Sequence, residues 1–112
     1  MHEVSLAESV VNALIEMKEE HRWKSVVEVR LQIGVLRQVF PEIMAFAFET
    51  VARGTPLEGA RLVMEDVPIA YRCNECGTQW HDDSPLCPEC GSMHKETVAG
   101  MELDIKSVEV EE

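Results

Sequence analysis

From Ser5 to about Glu20 the apolar residues Leu6, Val10, Leu14 and Met17 recur every three or four positions, while Glu8, Glu16, Lys18 and Glu19 fall off that stripe. At 3.6 residues per turn this spacing collects the apolar side chains on one face, which predicts an amphipathic helix. Ser5 and Glu8 fit a capping box, in which hydroxyl and carboxylate satisfy amides left free at a helix start. On that reading Met1 to Val4 precede the first turn. His21, beside Glu20 at the other end, is most simply a cation favoured by the helix's C-terminal dipole when protonated.

The period then changes. Across Val27-Glu28-Val29-Arg30-Leu31-Gln32-Ile33 apolar and polar residues alternate strictly, as a half-buried strand requires, and Gly34 closes the run. Pro41 suits the first turn of a second helix through about Arg53, with Ile43, Phe46, Ala47 and Val51 toward the core and Gly54 at its stop. A second strand is expected from Arg61 to Glu65, resuming through Val67, Ile69 and Tyr71 after a bulge near Asp66, with Pro68 favouring a sheet edge. A last strand places Met101, Leu103 and Ile105 on one face, before an acidic tail of Glu109, Glu111 and Glu112.

Between those strands the segment from Arg72 to about Lys95 holds all four cysteines and almost no aliphatic side chains beyond Leu86 and Met93. Apolar burial cannot hold such a segment together. The expected architecture is α+β: a small three-stranded sheet with two helices, and a four-cysteine zinc-ribbon module inserted before the last strand. The α+β domain then takes residues 1–70 and 97–112 and the module takes 71–96, joined through Val67 to Tyr71 and Thr97 to Gly100.

Composition narrows the function classes. Twenty-one acidic residues against ten basic ones give a formal charge of -11, which repels phosphate backbones and favours cations or basic protein surfaces. No apolar run approaches the roughly 18 residues a membrane span needs, and no secretory signal is visible at the first residues, so a cytoplasmic, non-membrane protein is expected. There is also no Gly-rich phosphate loop and no nucleophile, base and orienting-acid set of the kind an enzyme reading would require.

Cys73-Asn74-Glu75-Cys76-Gly77 and Cys87-Pro88-Glu89-Cys90-Gly91 are two CxxCG knuckles. Two intervening residues let both thiolates of a knuckle reach one ion, and the glycine permits a tight turn with amides aimed at sulfur. Two knuckles complete a tetrahedral four-sulfur shell, so Cys73, Cys76, Cys87 and Cys90 are the expected ligands of a structural Zn²⁺. A pair of disulfide hairpins or a rubredoxin-like iron centre would use the same residues. His81 and His94 flank the knuckles as exposed loop residues or as imidazoles able to replace a thiolate. A zinc ribbon acting as a nucleic-acid-binding or protein-interaction module is the rival reading. Arg72 and Lys95 face Glu75, Asp82, Asp83, Glu89 and Glu96, a balance that disfavours nucleic acid.

The chain begins Met1-His2-Glu3. A free terminal amine, the His2 amide and its Nδ1 can chelate one metal, and the Glu3 amide can close a square plane that suits Ni(II) or Cu(II). By itself, a histidine so near a terminus is more often an idle, solvent-exposed residue.

Taken together, Met-His-Glu at the start, a capped helix, the strand Val27 to Gly34, the segment Pro41-Glu42 through Phe46-Ala47-Phe48-Glu49 and the two-knuckle ribbon resemble the HypA/HybF family of hydrogenase-maturation nickel chaperones. The resemblance spans essentially the whole chain. It implies a non-catalytic metallochaperone with cargo nickel at Met1, His2 and Glu3 in the α+β domain and structural zinc at the four cysteines. It further implies a partner GTPase, delivery to the large subunit of [NiFe]-hydrogenase or to urease, and association as monomer or homodimer.

Overall fold

A computed structural model describes residues 2–112 of the chain. In chain order the elements are helix α1 (His2–His21), strand β1 (Ser25–Gly34), a short 3-10 turn (Val35–Arg37), helix α2 (Pro41–Ala52) and strands β2 (Arg61–Val67), β3 (Ala70–Cys73), β4 (Gln79–Trp80), β5 (Lys95–Ala99) and β6 (Leu103–Glu111). Two three-stranded sheets result, ordered β2-β1-β6 and β4-β3-β5. The chain divides into two compact units, one of residues 1–32, 39–65 and 104–112 and the other of residues 33–38 and 66–103.

In the first unit β1 is the central strand, and Val26, Val29 and Leu31 on it are buried. Its polar residues meet partners from both neighbouring strands. Glu65 on β2 accepts hydrogen bonds from Arg30 Nη1 at 3.0 Å and from Lys106 Nζ on β6 at 2.9 Å, while Arg61 Nη2 donates to Glu28 at 3.1 Å. The Lys106 ammonium, then the Arg30 guanidinium, hold the Glu65 carboxyl below its ordinary range. Helix α1 buries Ala7, Val10, Val11 and Leu14 and packs against α2.

Four expectations change. Helix α1 begins at His2, so Ser5 lies one turn inside it and caps nothing; its carbonyl instead accepts from Ser9 Oγ at 3.1 Å. The first turn carries Glu3, an acid that the positive end of the helix favours. On α2 the buried residues are Met44, Ala47, Phe48 and Ala52, whereas Ile43 and Phe46 are 45% and 68% exposed. Positions 44, 48 and 52 recur every four residues and form a stripe of their own, so an apolar helix offered two candidate core faces and the structure uses the other one. The expected second strand breaks into β2 and β3, which belong to different sheets, with Pro68 between them unable to donate to a ladder. The acidic end is strand rather than tail: Glu111 O accepts from Lys24 N at 2.7 Å, and its carboxylate accepts from Ser25 Oγ at 2.6 Å.

In the second unit the expected linkers contribute ladder residues, Ala70 and Tyr71 from one and Thr97 and Ala99 from the other. Strand β3 pairs antiparallel with β5, with Tyr71 opposite Thr97 and Cys73 opposite Lys95, and with β4, where Tyr71 lies opposite Trp80. Residues 33–38 join this unit: Gly34 N donates to Glu102 O and Leu36 N to Gly100 O, each at 2.8 Å. A Cβ on Gly34 would sit 2.1 Å from the Gly100 backbone, so the close approach of the two chain segments there requires glycine.

Candidate metal centre

Each knuckle is a tight turn closed by its glycine. Gly77 N donates to Cys73 O at 3.1 Å and Gly91 N to Cys87 O at 3.0 Å, with φ of 80° and 73°, values glycine adopts without strain. The turn aims two amides at the first sulfur of each pair. Glu75 N and Cys76 N lie 3.4 and 3.5 Å from Cys73 Sγ, and Glu89 N and Cys90 N lie 3.4 and 3.5 Å from Cys87 Sγ. Both first cysteines are buried and both second cysteines are exposed.

The strands bring the knuckles together. Cys73 Sγ lies 3.6 Å from Cys90 Sγ, and Cys76 Sγ lies 3.5 Å from Cys87 Sγ. All four sulfurs fall within 4.8 Å of one another. A tetrahedron with Zn–S bonds of about 2.3 Å has S···S edges of about 3.8 Å, so the donor set fits a four-coordinate thiolate-bound metal such as Zn²⁺. The four cysteines are free, which removes the disulfide alternative in this structure. Iron held by four thiolates would ask for the same ligands.

Cys73, Cys76 and Cys90 are electrostatically unequal. The Thr78 hydroxyl, 3.2 Å from Cys76 Sγ, leads a set of hydrogen bonds that pull the Cys76 thiol down to about 6. Cys73 is lowered too, chiefly by the amides of Cys76 and Glu75. At Cys90 the Ser92 amide favours the thiolate, but Cys73, burial, Cys76 and Cys87 together outweigh it and push the thiol up to about 12. Four neighbouring thiolates repel one another, and a divalent cation at their centre removes that conflict.

Around the sulfurs Trp80 is buried with Cys73 and Cys87, and its indole N–H donates to Ser84 O at 3.1 Å. Tyr71 packs against this cluster with its ring 5.7 Å from that of Trp80, and Lys95 Nζ stands 5.2 Å over its face. His94 is exposed, with Nδ1 3.5 Å from Glu75 Oε1; His81 is exposed as well.

At the other sequence-predicted site, Met1 and the side chain of His2 lie outside the described residues. Glu3 is described and, among the described residues, is the buried acidic one, 7% exposed, with Oε2 3.5 Å from the Phe40 amide that precedes α2. The role of its carboxylate in joining α1 to the entry of α2 was not legible in the sequence, because Glu3 and Phe40 are brought together only by helix packing.

A family model described as "Hydrogenase/urease nickel incorporation, metallochaperone, hypA" matches residues 1–110. The chain belongs to the HypA family. Among curated members, the hydrogenase maturation factor HypA of Geobacter metallireducens is 41% identical over 99% of this chain and all of that one. That of Aquifex aeolicus is 35% identical over 99% of this chain and 98% of its own. The solution structure of the nickel metallochaperone HypA from Helicobacter pylori shares the fold, with a TM-score of 0.75 and 21% identity over 99% and 98% of the two chains. HypA membership accords with the sequence resemblance and with the α+β architecture, and it makes the chain a nickel-incorporation metallochaperone by family. Among the described residues no helix is long and apolar enough to cross a membrane.

Proposed function

We propose that this HypA-family chain binds Ni(II) at its amino terminus, through nitrogen donors of Met1, His2 and Glu3, and carries one structural Zn²⁺ on Cys73, Cys76, Cys87 and Cys90. It delivers nickel to the large subunit of [NiFe]-hydrogenase, or to urease, in concert with a maturation GTPase. On this reading residues 1–70 and 97–112 form the nickel-binding domain, residues 71–96 form the zinc module, and the protein works in the cytoplasm as a monomer or homodimer. The observation that carries the reading is the family match across residues 1–110, which takes in both ligand sets.

Coordination chemistry supports the division of metals. Four thiolates close a tetrahedral shell and leave no open position, which suits a resident structural ion. Nitrogen donors on a chain terminus suit Ni(II), and the first amides of α1 have no intrahelical acceptor to give up. Cargo held at a chain end can be passed on without opening a cage. Of Glu3, the backbone amide is the donor best placed for this role, since its carboxylate is engaged at Phe40.

The test is His2→Ala in untagged protein. Calorimetry should show loss of stoichiometric nickel binding, with zinc content and helical signal retained. Nickel affinity equal to wild type would place the cargo site elsewhere.

A further inference from the structure

The four knuckle sulfurs differ in what can reach them. Cys73 and Cys87 are buried, 2% and 3% exposed, and enclosed with Trp80, whereas Cys76 and Cys90 stand at the surface. The short sulfur contacts run between knuckles and pair one of each kind: Cys76 with Cys87 at 3.5 Å and Cys90 with Cys73 at 3.6 Å. An oxidant arriving from solvent therefore meets the second cysteine of a knuckle, and behind it lies the first cysteine of the other.

Charge selects the oxidant. Glu75 and Glu89 within the knuckles, and Asp82 and Asp83 between them in sequence, are exposed on a chain of formal charge -11. Anionic oxidants are repelled there, and a small neutral hydroperoxide is not. We propose that Cys76 and Cys90 are oxidation sites for such a hydroperoxide, and that oxidation ends in two disulfides, Cys76–Cys87 and Cys73–Cys90, which replace the metal as the staple of the module.

At each exposed sulfur the thiolate attacks a peroxide oxygen, so that an S–O bond forms, the O–O bond breaks and hydroxide leaves. Sulfur gives up two electrons and the peroxide takes them. The buried thiolate of the facing knuckle then attacks the sulfenic sulfur, forming the S–S bond and expelling the second hydroxide, and solvent protonates both hydroxides to water. Bonding at about 2.05 Å asks each pair to close by roughly 1.5 Å. With the first disulfide the shell loses two of its four donors and, on the zinc reading on which this proposal rests, the ion leaves. Because both bonds join one knuckle to the other, Cys73, Trp80 and Cys87 stay tied together without metal, which bonds within each knuckle would not achieve.

The experiment treats the full-length, zinc-loaded chain with hydrogen peroxide, blocks remaining thiols and maps the bonds after cleavage behind Arg72, Glu75, Glu89 and Lys95. Those cuts give cysteine-bearing peptides 73–75, 76–89 and 90–95. Peptide 73–75 should be joined to 90–95, with 76–89 closed on itself. Either other pairing joins all three peptides in one product and overturns the proposal, as does sulfinate at Cys76 or Cys90 with no disulfide. Dimedone added with the peroxide should tag Cys76 and Cys90; tagging chiefly at Cys73 or Cys87 also overturns it. Zinc release, read with a chromogenic chelator, should keep step with disulfide formation. Hydrogen exchange should show β3, β4 and β5 still protected in the oxidised, zinc-free protein, and loss of that protection would rule out the staple. Untreated protein that carries no zinc fails the zinc reading alone, because the bond map is read on the same four cysteines.

Discussion

In the α+β unit Leu14, Leu31, Met44 and Leu57 are wholly enclosed, whereas the cluster around the knuckles encloses Cys73, Trp80 and Cys87 with Tyr71 against them. The two regions therefore rest on different forces. Burying each Leu or Met is worth about 1.5–3 kcal/mol, and the α+β unit buries several of them together. The knuckle cluster offers two aromatic rings and sulfur atoms that repel one another once ionised. On the proposed function its cohesion comes from the ion, and apparent binding energies of roughly 10 kcal/mol or more are typical where a structural Zn²⁺ organises a small module.

Metal removal should therefore separate the regions most sharply. Chelation, or Cys73→Ser, should abolish amide protection in β3, β4 and β5 while α1 and β1 keep theirs, as read by hydrogen exchange. Equal loss across both sheets would mean that the zinc module and the α+β unit fold as one. The converse substitution, Leu31→Ala, should cost the α+β unit about 2–5 kcal/mol in thermal or denaturant unfolding, with about one zinc per chain still bound.

The smallest expected effect is electrostatic. Glu65 has its pKa lowered by Lys106 and Arg30 relative to the ordinary 4.5, so its contribution is fully present above that value and is lost as pH falls through the lowered one. Melting curves of the zinc-loaded protein between pH 6 and 3 should show Glu65→Gln losing less stability on acidification than wild type. Parallel losses would show that the Arg30–Glu65–Lys106 contacts do not contribute.

How much of this was legible in the sequence follows the same division. Strict alternation from Val27 to Ile33 located β1 because a central strand must present one face to a core, and CxxCG spacing located the knuckles because chelation fixes chemistry over a few residues. Helix α2 was harder. Its residues are apolar on two faces, and only the packing of α1 against α2 decided for Met44 and Phe48 over Ile43 and Phe46. The β3–β5 pairing was hidden because Thr97 and Tyr71 carry no turn signal between them, only the whole ribbon. At the amino terminus the Ser5–Glu8 pattern suggested a later start, but α1 reaches back to His2 and brings Glu3 to Phe40.

The central claim is that one chain keeps two metals by two chemistries, a resident ion on thiolates and a cargo ion on terminal nitrogens. Nickel titration of the untagged, zinc-loaded protein beside a form extended by a few residues before Met1, each followed by absorption spectroscopy, tests it most directly. One nickel per untagged chain with a square-planar spectrum, markedly weaker binding by the extended form and unchanged zinc in both are expected. Equal nickel binding by the two forms, or nickel displacing zinc from the cysteines, would contradict it.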